Sequence, residues 1–280
     1  YKMNKVVTYI KRGIKYIFKE YKQPIIKANI VQKATDNLFN GKVYLVTGGS
    51  SGIGYYIAKK LLQEGANVII TGKNEEKLKN AKNQLGKACV YMVYDIKKSD
   101  NADKIFNEIY DVFGRIDGII NNAGISLHEW DFLKVTPEGF DTQFYTNLKG
   151  SYFLTQSYVK KILDNKLEGN VIFISSERGS MAEVIPYGLT KASIDNLVKG
   201  LSYKYYKKGI RFNSVAPGIT ASGMTNIDKE SDLFSNSPSG RYFIPEEVAE
   251  VVSYLLSDYS KCISGEIIHC NGGNHIKMGW

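Results

Sequence analysis

The chain has 280 residues, of which 43% are hydrophobic and 23% charged, the balance of a globular protein able to bury a sizeable core. No uncharged apolar run approaches the roughly 18 residues of a membrane span, Lys11 and Arg12 interrupt Val6–Ile10 before a signal-peptide core can form, and Cys89, Cys262 and Cys270 have neither metal-ligand nor CxxC spacing. The net charge of +9 is no nucleic-acid signature: nine basic residues against Glu20 and Asp36 put +7 on residues 1–40, leaving +2 for the rest.

In residues 1–40, Val6/Val7, Ile10, Ile14, Ile17/Phe18 and Tyr21 recur at helical spacing with lysines opposite, and Pro24 ends the pattern. A basic amphipathic helix can lie on an anionic membrane surface. This one lacks a Trp- and Leu-rich face, so packing on the folded body or on a sister subunit is the expectation.

From Asn40-Gly41 onward, short β-rich runs alternate with helical patterns. Lys42–Thr47 reads as a buried strand, Ile53–Glu64 as a helix and Asn67–Thr71 as a second strand. The next helix is capped by Asn74, with Glu75 and Glu76 in its first turn. Ala88–Tyr94, Gly118–Asn121, Asn170–Ser175, Ile210–Ala216 and Glu266–His269 are further strands, and Pro245-Glu246-Glu247 opens a late helix. Strands separated by helices of this length imply βαβ units, a parallel sheet and one α/β domain over 41–280. Gly218–Ile244, rich in Ser, Asn, Gly and Asp, is too long for a mere connection and predicts a lid.

Val46-Thr47-Gly48-Gly49-Ser50-Ser51-Gly52-Ile53-Gly54 follows the first strand and opens the first helix. Glycines there permit positive φ and let backbone approach a pyrophosphate, which then lies at the helix N-terminus. The second strand ends in Gly72-Lys73-Asn74, without the carboxylate that would bond a ribose 2′-hydroxyl. Lys73 can pair with a 2′-phosphate instead, which predicts NADP(H) over NAD. Further on, Tyr187 and Lys191 stand at i and i+4 on one helix face, just after Pro186. A neighbouring ammonium lowers a phenol's pKa toward useful acid–base range. The strand ending in Ser175-Ser176 can bring a hydroxyl beside that phenol.

Taken together, Thr47-Gly48-x-x-x-Gly52-Ile53-Gly54, Asn121-Asn122-Ala123-Gly124, Asn147, Ser175-Ser176, Tyr187-x-x-x-Lys191 and Pro217-Gly218 resemble, in order and spacing, the short-chain dehydrogenases/reductases. The resemblance covers 41–280 and implies a Rossmann-like, doubly wound parallel sheet carrying an oxidoreductase. It implies Tyr187 as general acid/base, Lys191 holding the nicotinamide ribose and lowering the phenol's pKa, Ser176 polarising the carbonyl and Asn147 fixing a relay water. It places Gly48, Ser50, Ser51, Gly52, Ile53, Gly54, Lys73, Asp95, Ile96, Asn122, Ala123, Gly124, Pro217, Gly218 and Ser222 about the cofactor. Either Ser175 or Ser176 can supply the hydroxyl; Glu177-Arg178-Gly179 matches the family's turn and favours Ser176. Ser222 stands where the family often has threonine, and Lys73 where it has arginine, keeping charge without the bidentate fork.

The alternative is a cofactor-binding regulatory or scaffold protein on the same fold, which has no need of all four residues Asn147, Ser176, Tyr187 and Lys191. No nucleic-acid partner and no metal are expected. The scattered cysteines read as reduced thiols of a cytoplasmic protein, and the resemblance implies a homodimer or homotetramer with Phe153, Leu154, Leu197, Val198 and Leu201 between subunits. Ser126, His128, Met181, Ile185 and Met224 are the expected pocket. Glu177, Arg178 and His128 lean it toward a polar, sugar-like carbonyl or alcohol, with steroid-like or acyl substrates left open.

Overall fold

The computed structural model describes residues 25–27 and 37–276; the amphipathic helix expected before Pro24 lies outside them. Strand β1 (Val43–Thr47) is buried at every position, as an apolar run must be when helices cover both faces of a sheet. It pairs in parallel with β2 (Asn67–Gly72), and β2 with β3 (Cys89–Val93). On the other side β1 pairs with β4 (Gly118–Asn121), followed by β5 (Gly169–Ile174), β6 (Ile210–Pro217) and β7 (Ile267–Cys270). The order is β3-β2-β1-β4-β5-β6-β7, parallel throughout. Winding therefore reverses between β1 and β4, and a crevice opens at the carboxyl ends of those strands.

The helices are α1 (Gly52–Gln63), α2 (Glu75–Leu85), α3 (Ala102–Phe113), α4 (Pro137–Gln143), α5 (Gly150–Asp164), α6 (Pro186–Tyr205) and α7 (Pro245–Leu256). Successive strand residues point to opposite faces, so each central strand feeds two cores. Val46, Ile70 and Ile120 pack under α1, α2 and α7 with Ile57, Leu78 and Val252. Their neighbours Leu45, Ile69 and Ile119 pack under α3, α5 and α6 with Phe106, Leu154 and Val198. This is the doubly wound sheet expected from the sequence. Among the described residues no helix is long and apolar enough to cross a membrane.

Three features depart from the sequence reading. Leu154 and Val198 are wholly buried in the chain's own core, so they are not available to a subunit interface. Between α4 and α5 the backbone forms a π-helical stretch, Phe144–Lys149, a widening often found at functional sites. The 218–244 segment has no regular helix or strand but encloses a small core of Ala221, Leu233 and Ile244. Ile26, in the described part of the N-terminal segment, docks there. Its N–H donates to Asp232 Oδ1 at 3.0 Å, and its carbonyl accepts from the Leu233 N–H at 3.0 Å.

Candidate active site

The crevice begins at the glycine-rich turn. Gly48 and Gly52 have φ of +64° and +55°, conformations that L side chains rarely adopt. At Gly54 it is space that matters: a Cβ there would fall on the Asn122 amide and the Gly48 carbonyl. Ser51 is the N-cap of α1 but makes no side-chain capping bond, so it caps none of the first-turn N–H groups that face the crevice. Ser50 and Ser51 line the outer wall of the turn, and Ile53 anchors it to the core.

Thr47, at the end of β1, ties this turn to the next. Its Oγ1 accepts from the N–H groups of Asn122 and Ala123, each at 3.0 Å. Asn122 Nδ2 returns bonds to the carbonyls of Thr47 and Gly48 at 2.9 and 3.2 Å. A Cβ on Gly124 would stand 3.4 Å from Asn147 Oδ1 and 3.6 Å from Lys191 Nζ, so the same turn reaches the far end of the crevice. Asp95 follows β3, with Oδ1 accepting from the Lys97 N–H at 3.1 Å; Ile96 packs on the first residue of α5. Pro217 closes β6, and the Gly218 N–H donates to the Cys270 carbonyl at 3.0 Å. Ser222, bonded through its N–H to Thr225 Oγ1, lies 3.5 Å from where a Cβ on Gly52 would be. The 218–244 segment thus packs against the glycine turn. Lys73 is exposed at the head of α2.

Ser176, Tyr187, Lys191 and Asn147 converge where α6, β5 and the π-helical stretch meet. The Ser176 hydroxyl lies near enough to the Tyr187 phenol to favour its ionised form and accepts from the Arg178 N–H at 3.3 Å. Ser175 Oγ instead donates to the Lys191 carbonyl oxygen at 3.4 Å, so Ser176 is the serine that faces the phenol. Asn147 is buried: its Oδ1 accepts from the Ile125 N–H at 2.8 Å, and its Nδ2 donates to the Ile125 carbonyl and to Thr190 Oγ1. Lys191 is also buried, with Nζ donating to the Ile174 carbonyl at 2.8 Å. Desolvation brings its pKa down to about 8 against the pull of Asp195.

The phenol itself is not lowered as the resemblance implied. Burial pushes the Tyr187 pKa up, and the Ser176 bond and the Arg178 charge only partly offset this. Lys191 Nζ sits 5.7 Å from the Tyr187 ring centroid and is turned toward Ile174. Thr47 and Thr190 are the functional neighbours that sequence reasoning passed over; Thr47 stood inside the quoted motif without a role. The glycine cradle, the N–H groups ahead of α1 and a buried ammonium with one carbonyl partner fit a dinucleotide.

The family model described as enoyl-(acyl carrier protein) reductase matches residues 48–275. The chain is 35% identical to the 3-oxoacyl-[acyl-carrier-protein] reductase of Aquifex aeolicus, covering 83% of this chain and 97% of that one. It is 37% identical to the same-named protein of Rickettsia conorii, over 83% and 96%. Among solved structures, the 3-ketoacyl-(acyl-carrier-protein) reductase from Brucella melitensis complexed with NADH superposes with a TM-score of 0.79 at 26% identity, covering 85% of this chain and 99% of that one. ElxO with NADP bound superposes at 0.77 and 29% identity, covering 83% and 98%. With these matches added to the sheet order and the Ser176–Tyr187–Lys191 grouping, the chain belongs to the short-chain dehydrogenase/reductase family of oxidoreductases.

Proposed function

We propose that this chain reduces 3-oxoacyl thioesters with NADPH. The observation that carries the chemistry is the convergence of Ser176, Tyr187 and the buried Lys191 ammonium, which sits 5.7 Å from the Tyr187 ring centroid. Ser176 bonds the substrate carbonyl oxygen, and Tyr187 gives that oxygen its proton. A bound nicotinamide supplies the hydride to the carbonyl carbon. Lys191 holds the nicotinamide ribose, and the phenolate left on Tyr187 regains its proton from solvent through the Asn147 end of the crevice. Gly48–Gly54, Asp95, Ile96, Asn122–Gly124, Pro217, Gly218 and Ser222 hold the rest of the cofactor. The Gly72-Lys73 end of β2 supports NADP(H): no carboxylate stands at the strand end where it would bond a ribose 2′-hydroxyl.

An acyl thioester replaces the sugar-like substrate suggested by Glu177, Arg178 and His128. Glu177 Oε2 accepts from Asn271 Nδ2 at 3.1 Å, and Arg178 is paired with Glu183 and lies over the Trp130 ring. Those polar groups are already engaged. The loops after β4, β5 and β6 instead expose Leu127, Trp130, Val184, Ile219 and Met224, a rim suited to an acyl chain. The names of the relatives agree with that choice. Following NADPH absorbance with acetoacetyl thioesters and with ketoses tests it: turnover of the thioester is expected, and turnover of ketoses alone overturns it.

A further inference from the structure

One guanidinium is held beside the catalytic hydroxyls by three separate elements. Arg178 follows Ser176 by two residues, and its N–H donates to Ser176 Oγ at 3.3 Å. Its Nε and Nη2 both donate to Glu183 Oε2. Glu183 is itself fixed, because its Oε1 accepts from the N–H groups of Val184 and Ile185 at 2.9 and 3.0 Å. A Cβ on Gly188, the residue after Tyr187, would fall on that carboxylate, so the bare residue lets the pair lie on the first turn of α6. From the loop after β4, the Trp130 ring centroid stands 5.6 Å from the guanidinium carbon, a cation–π distance. The charge of Arg178 reaches the Tyr187 phenol. The head is thus positioned on the catalytic serine's turn and against the catalytic tyrosine's helix before a substrate arrives.

Pairing with Glu183 occupies one edge of this head. The other, at Nη1, makes no hydrogen bond among the described residues, and the side chain is 31% exposed. Glu183 cancels the charge of the pair, and a second anion placed there would lie beside its carboxylate. What the pair offers is a charge-assisted N–H for a neutral acceptor. A 3-oxoacyl thioester carries two carbonyls on one short segment, and the one being reduced goes to Ser176 and Tyr187. We infer that Arg178 Nη1 binds the other, the thioester carbonyl oxygen, and so selects 1,3-dicarbonyls over isolated ketones and over free 3-oxo acids. The inference rests on the 3-oxoacyl reading above and assigns its specificity to one residue.

Steady-state kinetics on the full chain test it with an acetoacetyl thioester, the 4-oxopentanoyl thioester of the same thiol, and acetoacetate. The second probe moves the ketone one carbon further from the thioester, and the third turns the thioester into an anion. Wild type should favour the first in kcat/KM by about tenfold or more over either. Arg178→Met keeps an apolar stem under Trp130 but removes the donor. It should lower kcat/KM for the acetoacetyl thioester about 10–100-fold, the worth of a hydrogen bond to a charged group, and bring it level with the 4-oxopentanoyl thioester. Arg178→Gln is also uncharged but can still donate to Glu183. It should show the same levelling, so the result does not depend on one variant folding, and calorimetry should give both variants wild-type NADPH affinity. If the ratio of the two thioesters stays at its wild-type value, whether both rates hold or fall together, the inference is overturned and the 3-oxoacyl reading stands. Acetoacetate reduced by wild type as efficiently as its thioester also overturns the neutral seat alone. If wild type reduces ketoses and neither thioester, both are overturned.

Discussion

The hydroxyl of Ser176 accepts from the Arg178 N–H and favours ionisation of the Tyr187 phenol, while that of Ser175, one residue earlier, turns to the Lys191 carbonyl of α6. Adjacent residues leaving a strand point in opposite directions, so one serine reaches the crevice and the other the helix behind it. Ser176→Ala should lower kcat about 10²–10³-fold, the cost of removing one donor from a developing oxyanion. Ser175→Ala removes a buried bond worth about 1 kcal/mol and should lower the melting temperature while keeping most activity. Reversed effects in steady-state kinetics would assign the role to Ser175.

Tyr187→Phe removes the proton donor without emptying the space. Turnover should fall by about 10²–10⁴-fold, the usual contribution of general acid catalysis. NADPH affinity should be nearly unchanged, because in the proposed mechanism the glycine turn and Lys191, not the phenol, hold the cofactor. Calorimetry beside kinetics separates the two, and a mutant with near-wild-type kcat would remove Tyr187 from the mechanism.

Lys191 carries a cost in the folded state that its function explains. Burial lowers its pKa from 10.5 to about 8, so below pH 8 the folded protein holds an ammonium it would more readily hold unfolded. At about 1.36 kcal/mol per unit this is a penalty of up to about 3 kcal/mol at neutral pH. It shrinks as pH rises from 8 to 10.5, where the unfolded chain binds more protons than the folded one. Lys191→Met should therefore be inactive yet more stable than wild type at pH 7, with the gain fading above pH 8. Denaturant titrations at several pH values measure this; a destabilised mutant at pH 7 would refute the penalty.

The fold was legible because its strands announce themselves: pairs such as Leu45-Val46, Ile69-Ile70 and Ile119-Ile120 are apolar on both faces, as only a sandwiched sheet allows. The glycine turn, Asn122 and the Tyr187–Lys191 pair were legible because their residue types are tied to one geometry. The π-helical turn at Asn147 was not, since one widened turn leaves no periodicity to read. The apolar stripes of α5 and α6 likewise do not tell an inward Leu154 or Val198 from an outward Tyr152. Nor does any residue type mark a backbone pairing such as that of Ile26 with Leu233.

A subunit interface on those helices would lie one face further round. Phe144, Tyr145, Leu148, Tyr152 and Leu197 line an apolar groove of ≈ 470 Å³, and Tyr145 and Tyr152 are 44% and 42% exposed. With the homo-oligomer implied by the family resemblance, this groove is the face a second copy should cover. Light scattering should give at least a dimer for wild type, and Tyr145→Asp/Tyr152→Asp should shift it to monomer by burying charge. A double mutant of unchanged mass would place the interface elsewhere.

Ile26 links the N-terminal segment to the lid rather than to solvent. Its two backbone bonds reach Asp232 and Leu233, and Leu233 is the fully buried centre of the lid's small core with Ala221 and Ile244. Two such bonds stabilise the docking of Ile26 on this segment by about 1 kcal/mol each. Deleting residues 1–36 should therefore lower the melting temperature and raise KM for the acyl substrate several-fold, with kcat little changed once substrate saturates. Asp232→Ala, which removes the bonds to the Ile26 and Phe234 N–H groups but keeps that of the Ile26 carbonyl to Leu233, should move both in the same direction. A membrane role for the basic segment makes the opposite demands. Deletion would then leave melting and KM alone but abolish sedimentation with anionic vesicles, and that sedimentation would weaken as salt screens the lysines. Truncated protein with wild-type melting and KM, together with salt-sensitive vesicle binding by the full chain, would transfer the segment from the lid to the membrane surface.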